Sequence, residues 1–337
     1  MNNKYTVSLK DIAESTGVSI STVSRVIKNK GEISDATRKK IMNAARELGY
    51  HENRLSNAIR TGKTGAVGFI GMIEDSFFNN LFIRIHDELQ KRNYLPIISW
   101  QTKNEREVIR RMIEQRVDGI IIVPTFDFAD NSYFLEVIKR GLPIVSIDRK
   151  TPADIDFIGT DDYSGGWMMA EYFYGEGHRE MGFYHSYPDA SPANLRREGF
   201  MDFCSKHHDC SVKMIGHGGW SLESDISLID FFEANPEVSA VGTITDYHAM
   251  QIVQILNKIG KKVPENISVI GFGNVKDPWI SQQQITTFDQ NVPELAESAV
   301  KMLLERINGS KTTKRELRIK PELIIRQSAS GYDKEDQ

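Results

Sequence analysis

Four polar side chains recur at helical spacing between residues 19 and 28. Ser21, Arg25 and Lys28 are four and three residues apart, so they share one face of a helix, and Ser24 lies beside them. This face offers small hydroxyls and two cations and contains no acid. It can lie against phosphates and reach base edges without charge repulsion. The pattern therefore predicts nucleic-acid binding, and a helical hairpin with one solvated polar face is the alternative.

A helix-turn-helix is the element that would position this face. Ser8 and Asp11 form a capping box that begins a first helix, and Gly17 ends it. Ser19 is the predicted N-cap of the second helix, and this helix would enter the major groove. Ser34 is the predicted N-cap of a third helix. The three helices are predicted to close a small core of apolar residues, namely Ile12, Val18, Val23, Ile27, Ile41 and Leu48.

Charge is distributed unevenly along the chain. At 337 residues the protein can form two or three domains. Residues 1–63 hold twelve Lys and Arg against six Asp and Glu, a balance of +6; the whole chain carries −4, so the remainder carries −10. A basic head on an acidic body predicts that the head contacts a polyanion. The sequence has no membrane-spanning apolar run, no signal-peptide pattern and only two cysteines, so a cytoplasmic protein is expected.

Residues 65–330 alternate between apolar strands and amphipathic helices. Continuous apolar runs predict buried parallel strands at 66–70, 95–99, 119–123, 143–147, 157–159, 181–184, 211–215, 240–244 and 268–272. Helices are predicted between them, for example at 81–92, 105–115, 163–175 and 248–259. Two successive series predict an α/β fold with two doubly wound lobes. Ligands bind beyond the carboxyl ends of such strands, and two facing lobes enclose a cleft that can close.

Catalytic and metal-binding motifs are absent from the sequence. Cys204, His207, His208 and Cys210 are close together, but their spacing matches no standard zinc site, so no metal is predicted. GxSxG, Walker A and HExxH do not occur, and neither a catalytic residue nor a cofactor is predicted. An enzyme on a doubly wound fold therefore lacks support. A solute-binding protein of a transport system is opposed by the basic head and the missing signal peptide.

Longer blocks of sequence resemble the LacI/GalR family of bacterial transcription regulators. The head resembles it through SLKDIAESTGVSISTVSRVI, ISDATRKKI and ELGYHENRLSNAIRTGKTGAVGFI. The body does so through DGIIIVP, LPIVSIDR, GHREMGFY, VPENISVIGF and LIIRQS. The resemblance covers nearly the whole chain. It implies a three-helix helix-turn-helix head and a two-lobed, periplasmic-binding-protein-like core.

The resemblance also implies domain boundaries. The DNA-binding domain would span 1–52, a hinge helix 53–64, the effector-binding and dimerisation core 65–330, and a polar tail 331–337. The first lobe would comprise 65–161 and 291–319, and the second 162–290 and 320–330. In the family the hinge helix orders on the operator and wedges an apolar side chain, here Ile59, into the minor groove. A flexible linker is the alternative for this segment, and Glu52 and Asn57 stand where the family often has Pro and Arg.

The expected DNA contacts combine the helix face with the resemblance. Ile20, Ser21 and Arg25 are expected to face bases, with Ile20 limited to apolar contact. The other expected contacts, mainly to the backbone, are Ser8, Ser19, Thr22, Ser24, Lys28, Tyr50, Asn53 and the wedge residue Ile59. A homodimer would present two heads to a pseudo-palindromic double-stranded operator.

The candidate effector residues follow the predicted strands. They are Phe77, Phe78, Asp148, Arg149, Arg196, Trp220, Asp246 and Asn274. By resemblance, Arg196 is the family's ligand-binding arginine and Trp220 its stacking aromatic residue. Thr245 stands where the family often has Asn, and Gly273 where sugar-responsive relatives have a ligand-binding Asp. The pocket is thus expected to be roomier, less acidic or suited to a modified or anionic sugar.

The sequence therefore predicts a sequence-specific transcription regulator, acting as a repressor. Its operator affinity would be controlled by a sugar or sugar derivative bound between the lobes. A regulator that responds to a non-sugar ligand is the alternative.

Overall fold

The computed structural model describes residues 7–28, 30–50, 62–72, 76–100, 104–125, 132–185, 191–216, 221–277 and 284–331. The chain forms two compact units, Met1–Thr64 and Gly65–Gln337. Among the described residues, no helix is long and apolar enough to cross a membrane.

The first unit contains three helices, α1 (Leu9–Thr16), α2 (Ile20–Ile27) and α3 (Asp35–Glu47). The predicted capping box is confirmed: Ser8 Oγ accepts from the Asp11 N–H at 3.4 Å, and Asp11 Oδ2 accepts from the Ser8 N–H at 2.7 Å. The two predicted N-caps of α2 and α3 are confirmed as well.

The core of this unit matches the predicted core except at one position. Ile12, Val23 and Ile41 are fully buried, and Val18 and Ile27 pack partly against them. Leu48 was predicted to be buried but is 39% exposed, because it is the C-cap of α3 and lies at the end of the helix, outside the core cluster. The remaining buried positions are taken by Ala13, Val26 and Ala45.

The second unit contains two six-stranded sheets. The strands of the first are β1 (Ala66–Gly71), β2 (Leu95–Trp100), β3 (Gly119–Ile122), β4 (Ile144–Ile147), β5 (Asp156–Thr160) and β11 (Glu316–Ile319). Their order is β11-β5-β4-β3-β1-β2, and all neighbours are parallel. β1, β3, β4 and β5 are buried throughout, as parallel strands covered on both faces must be.

The second sheet repeats this pattern. Its strands are β6 (Glu180–Tyr184), β7 (Ser211–Ile215), β8 (Ala240–Thr243), β9 (Ser268–Phe272), β10 (Thr286–Asp289) and β12 (Glu322–Ile324). Their order is β12-β10-β9-β8-β6-β7; β12 is antiparallel to β10, and the other neighbours are parallel. The chain crosses between the sheets after β5, after β10 and after β11.

The helices of the second unit connect these strands. They are α4 (Ser76–Lys91), α5 (Glu105–Glu114), α6 (Ser132–Lys139), α7 (Asp162–Gly175), α8 (Ser191–Lys206), α9 (Leu222–Ala234), α10 (Asp246–Lys258) and α11 (Val292–Ile307). The predicted α/β class with two doubly wound lobes is confirmed.

Two details of the predicted elements were wrong. The helix predicted at 81–92 begins five residues earlier, because Phe77 and Phe78 extend the apolar stripe that continues through Leu81. The strands β10, β11 and β12 were not predicted, since each is only three or four residues long and two of them are polar or partly exposed.

Candidate DNA-reading helix and effector cleft

The N-terminus of α2 gathers a cluster of hydroxyls. Ser19 Oγ accepts from the Thr22 N–H at 3.2 Å and lies 2.8 Å from the hydroxyls of both Ser21 and Thr22. These exposed groups surround the N–H groups of a helix end, where a phosphate oxygen is favourably bound. The three hydroxyl groups that were predicted to contact DNA here therefore lie next to one another in the structure.

The rest of the outward face of α2 is apolar and cationic. Val23 and Val26 face the core, so Ile20 and Arg25 point outward, and Ile20 is 49% exposed. Arg25 forms no ion pair within the described part of the chain, and Ser24 and Lys28 are partly buried beside it. This face can contact both phosphates and base edges.

The other candidate DNA residues lie away from α2 or outside the described residues. Ser8 is exposed and caps α1. Tyr50 packs partly against the core of the head, and its N–H donates to the Ala45 carbonyl at 2.8 Å. Asn53, Ile59 and the proposed hinge helix up to residue 61 lie outside the described residues.

In the second unit, the segments that follow the carboxyl ends of the strands of the two sheets contact each other. The Ser76 N–H, after β1, donates to Tyr247 Oη, after β8, at 3.4 Å. The Lys150 N–H, after β4, donates to Ser191 Oγ, after β6, also at 3.4 Å. These contacts place the two sets of strand ends together, as a two-lobed ligand-binding fold requires.

Phe77 and Phe78 follow β1 along the chain, as the sequence analysis expected. They belong to the first turn of α4, their ring centroids are 5.1 Å apart, and both are buried in the first-lobe core. The Arg149 guanidinium lies 5.4 Å from the Phe78 ring. Both rings therefore contribute to the packing of the first lobe at the start of α4.

Asp148 and Arg149 directly follow β4, as the sequence places them. Asp148 has a φ of +67°, which turns the chain sharply at the end of the strand. Both side chains are buried, Arg149 Nη1 donates to the Pro124 carbonyl at 3.3 Å, and Arg149 Nε is 3.8 Å from Asp148 Oδ2.

Arg196 is held by the protein itself on several sides. Its side chain lies on α8 and is only 5% exposed. Nε donates to Asp162 Oδ1 at 2.8 Å, and Nη1 donates to the Ile244 carbonyl at 2.6 Å. Nη2 lies 2.7 Å from Asp162 and donates to Gln290 Oε1 at 3.3 Å. The guanidinium that the resemblance assigns to ligand binding is therefore bound by groups of the protein itself.

The partner of Arg196 is a strongly perturbed carboxyl group. Burial raises the pKa of Asp162 to about 7, although the neighbouring Arg196 acts in the opposite sense; Asp148 adds to the increase. Phe272 completes this environment, since its ring centroid lies 3.7 Å from the Arg196 guanidinium carbon. The arginine thus links α7, α8 and the ends of β8 and β9.

Asp246 and Asn274 are likewise bound internally. Asp246 is fully buried, accepts from Thr287 Oγ1 and from the Val275 N–H, and burial raises its pKa to about 6. The Asn274 amide donates to Asp289 and accepts from Arg326. Trp220 lies outside the described residues.

Two histidines and a glutamine at the cleft were not selected from the sequence. His185 Nε2 lies 3.1 Å from Asn194 Oδ1, and burial lowers the His185 pKa. His248 Nδ1 lies 2.6 Å from Thr245 Oγ1, and burial lowers its pKa to about 4, so both rings are neutral at pH 7. Gln290 follows β10, and its Oε1 accepts from Thr160 Oγ1 at the end of β5, so it connects the chain crossings after these two strands. The available signal was a polar triplet, Asp289 to Asn291, at the end of a short strand.

A helix-turn-helix head and a two-lobed ligand-binding core in one chain define an effector-controlled, DNA-binding transcription regulator. A profile described as bacterial regulatory proteins, lacI family, matches residues 8–53, and one described as periplasmic binding protein-like domain matches residues 170–329. The head of the chain is thus similar to the LacI family of bacterial regulatory proteins, and its core is similar to periplasmic binding protein-like domains.

Individual relatives cover nearly the whole chain. The HTH-type transcriptional repressor PurR of Mannheimia succiniciproducens is 25% identical over 95% of this chain and 98% of its own. The sucrose operon repressor of Pediococcus pentosaceus is 27% identical over 90% of this chain and 94% of its own. The NTD biosynthesis operon regulator NtdR of Bacillus subtilis is 29% identical over 95% of this chain and 99% of its own.

Solved structures show the same fold. The Lac repressor dimer bound to operator and the anti-inducer ONPF has a TM-score of 0.80 at 22% identity, covering 96% of this chain and 99% of that chain. A LacI family regulator from Enterococcus faecium with bound ribose has a TM-score of 0.68 at 22% identity, covering 80% of this chain and 100% of that chain.

Proposed function

We propose that this protein binds a specific operator through α2 and represses transcription, and that a small-molecule effector in the cleft controls its operator affinity. The observation that carries this proposal is the outward face of α2, where exposed hydroxyls, Ile20 and Arg25 adjoin without an acidic group. The proposal contains no catalytic step. It places the protein in the cytoplasm, at the nucleoid, where the operator is.

The proposed division of labour follows the predicted boundaries. Residues 1–52 read DNA, 53–64 form the hinge, 65–330 bind effector and dimerise, and 331–337 form a polar tail. The effector acts through its different affinities for two arrangements of the lobes. That arrangement in turn controls whether two hinges can pair on the operator.

A sugar or a sugar derivative is the proposed effector class. Relatives named for the sucrose operon and a neighbour with bound ribose support it. The proposed contacts are those of the cleft rim, from Asp148 and Arg149 in the first lobe to Arg196, Asp246 and Asn274 in the second. Phe77, Phe78 and Trp220 are proposed as its apolar and stacking surfaces.

Operator preference should depend on Arg25 more than on other cations of the head. Arg25→Ala removes the guanidinium of the outward face of α2, which can bind a guanine edge bidentately, so discrimination between sequences should fall by about 1–3 kcal/mol. Selection from a random duplex pool, followed by binding titrations at several salt concentrations, measures this effect. Lys39→Ala, on α3, removes the same charge and should leave the sequence preference intact; equal effects of the two variants would refute the assignment.

The proposed dimer surface consists of exposed apolar residues near the edge strand of each sheet. In the first lobe they are Ile83, Leu95, Ile98 and Trp100, and in the second Met214, Leu222 and Ile226. In the first lobe, Ile83 lies on α4 and the other three residues lie on β2. In the second lobe, Met214 lies on β7, and the other two residues lie on α9. Monomeric proteins rarely leave a hydrophobic edge strand uncovered, because it invites pairing.

A charge on this surface should dissociate the dimer. Ile98 is 40% exposed on β2, and Ile98→Glu would place a carboxylate in the proposed interface, where an unpaired buried charge costs several kcal/mol. Sedimentation of the variant at micromolar concentration should show a monomer with weaker operator binding. Leu135→Glu is the control, since Leu135 is 53% exposed on α6, away from both edge strands. A dimeric Ile98→Glu protein would exclude this surface.

A further inference from the structure

The two cysteines of the chain lie together in the second lobe. Cys204 is near the end of α8, and Cys210 directly precedes β7. The His207 N–H donates to the Cys204 carbonyl at 3.1 Å, and the Cys210 N–H donates to the His207 carbonyl at 2.9 Å. These two successive turns lead the chain from the helix into the strand. Both cysteines therefore pack against the same cluster of buried side chains.

The two histidines between the cysteines are bound elsewhere or exposed. The His207 ring stacks on the Phe203 ring with centroids 4.1 Å apart, and His207 Nδ1 lies 2.8 Å from the Phe203 carbonyl oxygen. His208 is exposed to solvent. Among the described residues, no group of three or more His, Cys, Asp or Glu side chains is arranged to hold a metal ion. The chemistry open to this cluster is therefore that of the two thiols themselves.

The two sulfur atoms are in direct contact. The Cys204 thiol donates a hydrogen bond to the Cys210 sulfur, and this bond is the main cause that lowers the pKa of Cys210. Arg179 adds to the decrease, whereas burial, Asp209 and Glu180 act in the opposite sense. The same hydrogen bond, together with burial, raises the pKa of Cys204. Cys210 is therefore the thiol that ionises first, with Cys204 as its proton-bearing neighbour.

Solvent access distinguishes the two sulfurs in the same order. Cys210 is half-buried, whereas Cys204 is only 5% exposed. A small oxidant in solution therefore reaches Cys210 first. A thiolate is the form of cysteine that reacts with peroxides, and an adjacent thiol can condense with the product. The pair combines a nucleophilic sulfur open to solvent with a second sulfur held behind it.

We propose that Cys210 and Cys204 form a redox-sensitive site, at which a hydroperoxide oxidises Cys210 and Cys204 converts the product into a reversible disulfide. First, the Cys210 thiolate attacks a peroxide oxygen: an S–O bond forms, the O–O bond breaks, and the leaving alkoxide takes up the proton lost by Cys210. The Cys204 sulfur then attacks the resulting sulfenic acid: an S–S bond forms, the S–O bond breaks, and hydroxide leaves as water with the Cys204 proton. Two thiols and one hydroperoxide thus give a disulfide, an alcohol and water.

This inference goes beyond the proposed function and does not rest on it. The disulfide would join the end of α8 to the start of β7, and α8 also carries Arg196. Disulfides in cytosolic proteins are rare, and those that form are mostly transient and redox-sensing, because cellular thiols reduce them. The site would respond to an oxidant at a place separate from the effector-contacting ends of the strands.

Oxidation of the full-length protein by hydrogen peroxide tests the proposal. After treatment, denaturation and alkylation, the free thiols should fall from two per chain to none. Mass spectrometry should find Cys204 linked to Cys210 within one chain, and dithiothreitol should restore both thiols. Two alkylated cysteines after peroxide treatment, or links only between chains, would overturn the proposal.

Substitutions assign the two roles. Cys204→Ser should stop the reaction at a sulfenic acid on Cys210, which dimedone traps, whereas Cys210→Ser should keep Cys204 reduced under the same conditions. His208→Ala, in the same turn, is the matched control and should form the disulfide as the wild type does. Oxidation of Cys204 in the Cys210→Ser protein, or loss of the disulfide in the His208→Ala protein, would contradict these roles.

Limited alkylation of the native wild-type protein gives a test that needs no substitution. Iodoacetamide reacts with the thiolate, so Cys210 should be labelled about tenfold or more faster than Cys204 at neutral pH. Peptide mapping at successive times measures the two rates. Equal rates, or faster labelling of Cys204, would show that Cys210 is not the reactive sulfur.

Discussion

Arg196→Leu is expected to lower the free energy of unfolding of the effector-binding core by about 3–5 kcal/mol, because it leaves the buried Asp162 carboxyl without its partner. The change also removes the donors to the Ile244 carbonyl and Gln290. Urea titration of the variant and the wild type measures the loss. The effector response should disappear, whereas salt-dependent DNA binding by the head should persist.

A second substitution shows whether the unpaired carboxyl causes the loss. Asp162→Asn combined with Arg196→Leu should recover part of the stability, since an amide is less costly to bury than a carboxylate. The single variant should also be less destabilised at pH 6 than at pH 8. The folded-state pKa of Asp162 lies above its unfolded value, so the folded protein binds more protons and stability falls as pH rises. Equal losses in the single and double variants at both pH values would contradict this explanation.

Gly166→Ala is expected to destabilise the same lobe by about 3 kcal/mol or more. A Cβ on Gly166 would lie 1.9 Å from the Arg196 carbonyl oxygen and 2.6 Å from its carbonyl carbon. Both atoms belong to the backbone of α8, so no side-chain rotation can relieve the overlap and the two helices must separate. Thermal unfolding would measure the loss, and ligand titration would report the displacement of Arg196.

The control for this prediction lies on the same helix. Gly175 is the last residue of α7, and its φ is not positive. A Cβ added there would meet no other atom of the described residues within 4 Å. Gly175→Ala should therefore be neutral or stabilise the protein by up to about 1 kcal/mol through helix propensity. If Gly166→Ala were as stable as Gly175→Ala, the close approach of α7 and α8 would not hold in solution.

Local signals in the sequence predicted local structure well. The capping box of Ser8 and Asp11 and the N-cap at Ser19 depend on groups three residues apart, so the sequence contains all the information they require. The alternation of apolar runs and amphipathic segments likewise predicted the two doubly wound lobes. The boundary at Ser76 was missed because the two phenylalanines extend the helix stripe in a region that also suits a loop.

Partners distant in sequence were decided by tertiary structure alone. Arg196 was correctly placed on the second lobe, but its partners Asp162 and Gln290 are 34 and 94 residues away. No periodicity or spacing encodes such pairs, because they form only when α7, α8 and the β10 crossover pack together. The orientation of the Gln290 amide was fixed in the same way, by a donor from another element. Residue order thus determined the elements and the class of protein, whereas packing decided which polar groups bind one another inside the core.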